Sequence, residues 1–183
     1  MDKKVVTLDS RWQMKNFQNP LRQGIVRLLR LSRAPMSAKE LSDRLLASPS
    51  AIRGHLEKLV ELGLVEVDHT AQVRGAPTVF YRDADVEVRL AITQEDGLRG
   101  EREALAAKLV DGTFRSFLGA TARRDVAPGE YGALFSGVLH LREEERRELF
   151  ARIRAYLTAH DQVEADTTEH WEYALIAYRA EGD

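Results

Sequence analysis

The chain has 183 residues, a formal net charge of −2 and no cysteine. Its hydrophobic fraction of 44% is ordinary for a globular protein, and the lack of cysteine excludes disulfides, thiolate nucleophiles and cysteine-based zinc sites. No apolar run approaches eighteen residues, and no positively charged start is followed by an apolar run of signal-peptide length. We therefore expect a cytoplasmic protein with neither a membrane span nor a signal peptide.

The first segment combines a β-prone tail with a short helix. Residues 5–8 are apolar enough to form an edge strand or to pack on a partner, and Asp9 or Ser10 can cap the helix that follows. Packing beside the next helices is the simpler interpretation of its apolar side chains. A dimer contact is the alternative.

Two further helix starts follow. Pro20, preceded by Asn19 as N-cap, begins an amphipathic helix at the position where no backbone N–H is required. Ser37 and Glu40 have the spacing of a capping box, in which each side chain bonds the other residue's backbone N–H, so a second helix begins there. Its predicted buried face consists of Leu41, Leu45 and Leu46.

A third helix is predicted over residues 49–62. The pair Ser48-Pro49 repeats the start signal, and Gly63 supplies a residue suited to a left-handed C-terminal cap. Apolar residues recur on one side of this helix. Its other side therefore forms an outer face that carries Ser50, Ala51, Arg53, Gly54, Glu57 and Lys58.

A small hairpin is predicted after the third helix. Residues 64–70 and 78–82 are β-prone, and the segment 71–77 between them contains Gly and Pro and the basic Arg74. Helix, short helix, turn, helix and hairpin within about sixty residues is typical of a winged helix-turn-helix, whose second helix fits the DNA major groove while the wing reaches the backbone or minor groove.

The same residues resemble the ArsR-type winged-helix transcriptional regulators. The resemblance rests on Gln18-Asn19-Pro20-Leu21-Arg22, on the run from Ser48 to Leu59, and on Gly63-Leu64-Val65, and it covers roughly the first half of the chain. It implies DNA binding and pairing of two copies. Arg53 stands where the pattern has Ser, and the metal-sensing cysteines of some members are absent, so arsenic or zinc sensing is not implied.

Several side chains are candidates for DNA contacts. Arg can donate two hydrogen bonds to guanine, Ser can donate to phosphate or base, and Gly54 permits close approach of the helix. The family resemblance implies that His55 contacts a phosphate; alternatively, His55 forms a structural hydrogen bond within the helix pair. For Arg53 and Lys58 the alternative to a DNA contact is that they only solvate the helix. The complete candidate set is Ser37, Ser48, Ser50, Ala51, Arg53, Gly54, His55, Lys58 and Arg74.

The division of charge agrees with this placement. Residues 1–90 contain fifteen Lys and Arg against eleven Asp and Glu, hence +4, whereas residues 91–183 contain twelve against eighteen, hence −6. Only the first half favours a polyanion, and it is the half that contains the motif.

A long helix is predicted in the second half. Apolar and polar residues alternate over residues 86–92, which favours a strand. Because the segment has no strong breaker, a helix is the alternative. Over about residues 95–124 apolar residues form one stripe along a long helix that is interrupted at Gly112 and Gly119. This helix is longer than a winged helix needs to cover its own core, so we expect it to build a dimer interface. The stripe consists of Leu98, Leu105, Leu109, Val110, Phe117 and Leu118.

The end of the chain predicts a small α+β module. After a break at residues 127–129, a β-prone run over 134–141 precedes a charged helix over 142–157, and an aromatic-rich run over 171–179 supplies a second strand. The residues predicted to face inward on the charged helix are Leu149, Ile153, Tyr156 and Leu157.

No pattern indicates catalysis. The five histidines are scattered and form no metal-binding pair, the run 143–147 is typical of exposed ion pairs on a helix, and no phosphate loop or nucleophile motif is present. We therefore expect no enzyme activity, no metal and no cofactor.

The sequence predicts a mainly α protein with small β elements, with residues 1–92 as a winged helix-turn-helix domain and residues 93–183 as a helical dimerisation and α+β region. The expected function is a dimeric repressor that reads a pseudo-palindrome in double-stranded DNA through the helix 49–62 and the wing 71–77, with a small-molecule effector as a further partner. The alternative is a protein-interaction or small-molecule-binding module that uses the C-terminal half.

Overall fold

The computed structural model describes residues 3–32, 34–92, 96–122, 131–162, 164, 167 and 169–180. The chain divides into two compact units, residues 1–109 and 110–183. The elements are β1 (Lys4–Leu8), α1 (Arg11–Phe17), α2 (Pro20–Leu31), β2 (Met36–Ser37), α3 (Ala38–Leu45), α4 (Pro49–Glu61), β3 (Val65–Val73), β4 (Ala76–Asp83), β5 (Val86–Leu90), α5 (Arg99–Thr121) and α6 (Glu143–Ala159).

Within the described residues, six helices and two small sheets make the fold mixed α+β, as predicted. In the first sheet β1 pairs in parallel with β5. The N-terminal tail therefore forms a strand, and of the segment 86–92, which was predicted as either strand or helix, residues 86–90 form a strand. In the second sheet the order is β2-β4-β3, all antiparallel, and β3 with β4 forms the wing. Among the helices that the structure describes, none is long and apolar enough to cross a membrane.

The predicted helix starts are confirmed by their hydrogen bonds. The Asn19 side chain accepts from the backbone N–H of Leu21 at 3.1 Å and of Arg22 at 3.2 Å. Ser37 and Glu40 form both halves of the capping box. Each of these bonds occupies a backbone N–H that has no partner inside its helix, which is why such residues mark helix starts.

The core of the first unit lies among α2, α3 and α4. Its apolar side chains come from the predicted stripes of these helices, and Leu8 of β1, Val86 of β5 and Leu105 of α5 join them. Complete burial of such a side chain contributes about 1.5–3 kcal/mol. The fully buried members are Leu8, Ile25, Leu41, Ile52, Leu56, Leu59, Leu64, Val65 and Leu105.

Leu46 does not belong to the buried face of α3, contrary to the sequence prediction. Its side chain is 93% exposed and its φ is 52°. It is the C-cap of α3 in the left-handed conformation, and this turn of the backbone takes the side chain off the helix stripe. Leu41 is buried as predicted, and Leu45 is half-buried.

The wing has longer strands and a shorter turn than its sequence predicts. Residues 71–73 and 76–77 extend β3 and β4, which leaves Arg74 and Gly75 as the two-residue turn. Both turn residues have positive φ, 52° and 81° respectively. A two-residue turn of this kind follows the natural twist of the paired strands, so the strands stay paired up to the tip.

The long helix α5 is confirmed, and it runs without interruption through Gly112 and Gly119. Leu105 of its predicted stripe is buried, whereas Val110 and Leu118 are exposed. Near its start the fully buried Arg102 forms an ion pair with Asp96. The predicted limits at residues 95 and 124, and the break at 127–129, lie outside the described residues.

The second unit differs from the predicted α+β module. Helix α6 is present, but Tyr156 points outward, 67% exposed and stacked on His160. Over the described residues 131–142 and 169–180 the chain has no strand. A strand needs a neighbour for its backbone and a core for one face; here Phe135 is 89% and Tyr178 85% exposed.

Candidate nucleic-acid interface

Helices α3 and α4 form a helix-turn-helix joined by residues 46–48. The Ser48 side chain caps α4 by accepting from the backbone N–H of Ala51 at 3.2 Å, and Pro49 takes the first helical position. At the other end, the N–H groups of Gly63 and Leu64 bond the carbonyls of Val60 (2.9 Å) and Leu59 (3.0 Å), the pattern of a Schellman cap. Both ends of α4 are therefore sharply defined.

Packing determines which side of α4 faces outward. Ile52, Leu56 and Leu59 are fully buried against the core. Because these residues are spaced by four and three, they occupy one side of the helix and leave the opposite side in solvent. The residues on that outer side are Ser50, Ala51, Arg53, Gly54 and Glu57, all exposed.

Three candidate side chains are available for a ligand. Within the described part of the chain, Ser50, Arg53 and Arg74 make no side-chain hydrogen bond or ion pair, and all three are exposed. An Arg side chain has five N–H donors in a planar fork, which suits guanine edges and phosphates. Arg53 on α4 and Arg74 at the wing tip can therefore contact a nucleic acid without first breaking an internal bond.

Three other candidates already have internal roles. Ser37 is buried and exchanges hydrogen bonds with Glu40, which holds the pKa of Glu40 below its usual value because the Ser37 backbone and side chain donate to the carboxylate. Ser48 caps α4. Lys58 is half-buried, bonds Glu61 at 2.8 Å and lies 5.7 Å from the ring centroid of Trp12.

Gly54 lies in open space. Apart from its chain neighbours and the backbone of its own helix, a Cβ atom added there would meet no atom of the described residues within 4 Å, so packing among those residues does not require glycine at this position. Glycine inside a helix is destabilising by about 0.5–1 kcal/mol relative to Ala. Its presence on the outer face is therefore consistent with close approach of another molecule.

His55 contacts a residue that the sequence does not single out as a site residue. Its Nδ1 lies 3.1 Å from Nη1 of Arg22 on α2, and both residues are half-buried. Burial, and after it the positive charge of Arg22, lowers the pKa of His55. The two residues are 33 positions apart, so no local sequence pattern predicts the contact.

A groove of about 320 Å³ separates the helix-turn-helix from the wing. Arg53 lies on its helical wall, and Thr78 and Tyr81 lie on its β4 wall. The other lining residues are Ala38, Lys39, Pro49, Pro77 and Val79. The groove places helix and wing on either side of one concave surface, as a molecule bound by both would require.

No group of three or more His, Asp or Glu side chains within the described residues could hold a metal ion.

The comparisons agree with the helix-turn-helix. A family profile described as "Helix-turn-helix domain" matches residues 17–68, from the end of α1 into β3. A search of curated proteins finds no match. The chain thus contains a helix-turn-helix domain, which supports DNA-binding transcription regulation.

Solved structures with some similarity include three bacterial proteins. Reduced HlyU from Vibrio cholerae has 29% identity and a TM-score of 0.33, over 52% of this chain and 83% of that one. Mb0332 from Mycobacterium bovis, a homodimeric winged helix-turn-helix domain described as a possible ArsR-family regulator, has 17% identity and a TM-score of 0.35, over 55% and 75%. YusO from Bacillus subtilis has 16% identity and a TM-score of 0.35, over 81% and 80%.

Proposed function

We propose that the chain is a sequence-specific regulator of transcription, of the ArsR type, that places α4 in the major groove of double-stranded DNA and the tip of the wing on the adjacent backbone or minor groove. The observation that carries the proposal is the two-sided character of α4. On its inner side Ile52, Leu56 and Leu59 are fully buried. On its outer side Ser50 and Arg53 have no side-chain partner within the described residues, and Gly54 faces open space.

Charge supports the same assignment. The first 90 residues carry a net +4. Arg53 and Arg74, which have no side-chain partner in the part of the chain that the structure describes, lie on the two elements that would flank the DNA. Contacts between such cations and phosphates release bound counterions, so affinity should fall steeply as salt concentration rises. A helix-turn-helix that only supported the rest of the fold would not need positively charged side chains on the outer face of α4 and at the tip of the wing.

A dimeric repressor is the form of this proposal that we favour. In the second unit Val110, Phe114 and Leu118 lie on one exposed side of α5 at spacings of four residues. The rings of Phe114 and Phe117 stack, with their centroids 6.2 Å apart. An exposed apolar stripe of this kind is typical of a helix that packs on a second copy. Two copies would then read half-sites about one helical turn apart and repress by occluding a promoter.

The experiment is selection of genomic DNA fragments by the full chain, followed by binding titrations of the enriched sequence against scrambled DNA. Arg53→Ala should lose about 1–3 kcal/mol of discrimination between the two, because a bidentate contact to a base edge is lost. Arg154→Ala, which removes an equally exposed Arg from α6, is the matched control and should retain discrimination. Equal loss of affinity for both DNAs would assign Arg53 to phosphate, and no enriched sequence would overturn the proposal.

A second function class is favoured by the exposed aromatic residues of the second unit. These aromatic side chains lie on the surface, and an exposed apolar surface of this kind favours a protein partner. A small-molecule effector that shifts the dimer between a conformation that binds its partner and one that does not is compatible with DNA binding and with protein binding. If DNA selection enriched nothing while a ligand raised the Tm, this second class would be preferred. The residues concerned are Tyr131, Phe135, Trp171, Tyr173 and Tyr178.

A further inference from the structure

We propose that Arg22 is a positioning residue for DNA binding: it holds His55 in the tautomer protonated at Nε2, so that α4 presents an imidazole N–H to a phosphate oxygen. The inference rests on the proposed function and deepens it. It adds a residue of α2, outside the helix-turn-helix, to the machinery of recognition. It also assigns a specific atom of His55 to the ligand.

The hydrogen bond between the two side chains determines the tautomer. Arg22 Nη1 lies 3.1 Å from His55 Nδ1, and a guanidinium group has donors and no acceptor. The Nδ1 atom must therefore accept, and the single proton of the neutral ring is placed on Nε2. Which ring nitrogen of a histidine is protonated is commonly set by the hydrogen bond that the other nitrogen makes.

Arg22 is itself held in place from a third element. Its Nε donates to the backbone carbonyl of Asn16 in α1 at 2.5 Å, and its own backbone N–H is bonded by the Asn19 cap at the start of α2. The guanidinium thus has one end fixed to α1 and the other directed at the ring on α4. This arrangement restricts the position of the imidazole as well as its protonation.

The Nε2 atom is available to a ligand. Among the described residues Nε2 has no hydrogen-bond partner, and it does not occur among the buried side-chain atoms that lack one, so it reaches solvent. Ala51, one turn earlier on the same side of α4, is exposed. His55 therefore lies at the boundary between the outer face and the buried side of α4, where the phosphates that flank a groove would pass.

The surroundings of His55 favour the neutral ring that this role needs. Its partial burial disfavours a second positive charge, and Arg22 is a positive group in direct contact with it. The contact with phosphate would then be a hydrogen bond from a neutral donor. Such a contact adds affinity without releasing a counterion, which separates it from the contacts of Lys and Arg.

Salt titrations of DNA binding test the assignment. We expect His55→Ala to lower affinity about tenfold for all sequences alike, as for a hydrogen bond to a charged group, with an unchanged slope of log K against log salt. Arg22→Met should lower affinity less, also without a change of slope, and should have no further effect in the His55→Ala background. A slope reduced by about 0.9 in Arg22→Met would mean that Arg22 itself binds a phosphate, and would overturn the inference.

Nitrogen-15 NMR of the imidazole tests the tautomer in the free protein. The wild type should show one neutral tautomer, with Nδ1 unprotonated, and Arg22→Met should show a mixture of both. A wild-type ring protonated at Nδ1, or a tautomer ratio that Arg22→Met leaves unchanged, overturns the inference whatever the DNA results are. If the wild type does not bind DNA, the proposed function and the phosphate contact both fail.

A second pair of variants keeps the inference testable if Arg22→Met does not fold. The amide of His55→Gln lies near the position of Nε2, whereas the amide of His55→Asn lies near that of Nδ1. Because the ligand contact is assigned to Nε2, we expect Gln to retain more DNA affinity than Asn, and Asn to bind about as weakly as Ala. The opposite order would assign the contact to the other side of the ring.

Discussion

At the scale of single residues, Gly54 is the position where stability and function should oppose each other. Gly54→Ala adds a methyl group into open space within a helix, so we expect the free energy of unfolding to rise by about 0.5–1 kcal/mol. The same methyl group should weaken DNA binding if Gly54 allows close approach. Denaturant unfolding and a binding titration on one preparation measure both effects.

The matched control for Gly54 is Gly112 in α5, which also has no atom within 4 Å of an added Cβ. Gly112→Ala should gain helix stability and leave DNA affinity unchanged. If Gly54→Ala bound DNA as tightly as the wild type, the glycine would have no role in close approach. The outer face of α4 would then lie farther from the bases than we propose.

Leu46 combines a left-handed backbone conformation with an exposed side chain. It has a φ of 52° and an exposed side chain, whereas a left-handed C-cap favours glycine. We expect Leu46→Gly to stabilise the first unit by about 1 kcal/mol, since the left-handed region costs L-residues about that much. Leu46→Ala retains the Cβ and should change little; an equal gain from Ala would point to the exposed leucine side chain instead.

At the scale of an element, the start of α3 should be sensitive to acid. The Ser37 backbone N–H and hydroxyl donate to the Glu40 carboxylate, so the pKa of Glu40 in the folded protein lies below its ordinary value of 4.5. A carboxyl whose pKa is depressed by folding contributes stability that is complete above its unfolded pKa and is lost as the pH falls through its folded pKa.

The measurement is the free energy of unfolding against pH for the wild type and Glu40→Gln. Gln can still accept the capping hydrogen bonds but has no charge to titrate. The advantage of the wild type should be constant above pH 4.5 and should shrink below it. An advantage that stayed constant into strong acid would show that the charge of Glu40 contributes nothing to the cap.

At the scale of the whole molecule, the prediction concerns association. If α5 pairs two copies through Val110, Phe114 and Leu118, the double variant Phe114→Ser with Leu118→Ser should sediment as a monomer while the wild type sediments as a dimer. Affinity for a two-half-site DNA should fall as well, because the two recognition helices would no longer be linked. Ser116→Ala, an exposed change elsewhere on α5, is the control. A wild type that sediments as a monomer contradicts the proposed dimer.

Sequence alone determined where α2, α3 and α4 begin and where α4 ends. The caps at Asn19, Ser37, Ser48 and Gly63 depend on hydrogen bonds between residues at most five apart, so the types and spacing of the residues are sufficient to predict them. The apolar spacing of α4 likewise determined which side would be buried. The candidates on its outer face follow from that spacing and remain predictions for DNA contact.

Tertiary structure decided whatever depends on residues far apart in the chain. Whether Tyr156 would be buried depended on where the neighbouring elements lie, and it is exposed. Leu46 is exposed because the backbone turns into the left-handed conformation at the C-cap of α3. The β-prone runs over 134–141 and 171–179 have suitable composition but no strand among their described residues, because a strand also needs a paired neighbour and a core. The contact of Arg22 with His55 joins two helices whose relative position is set by the packing of the core, a property that no local sequence pattern contains.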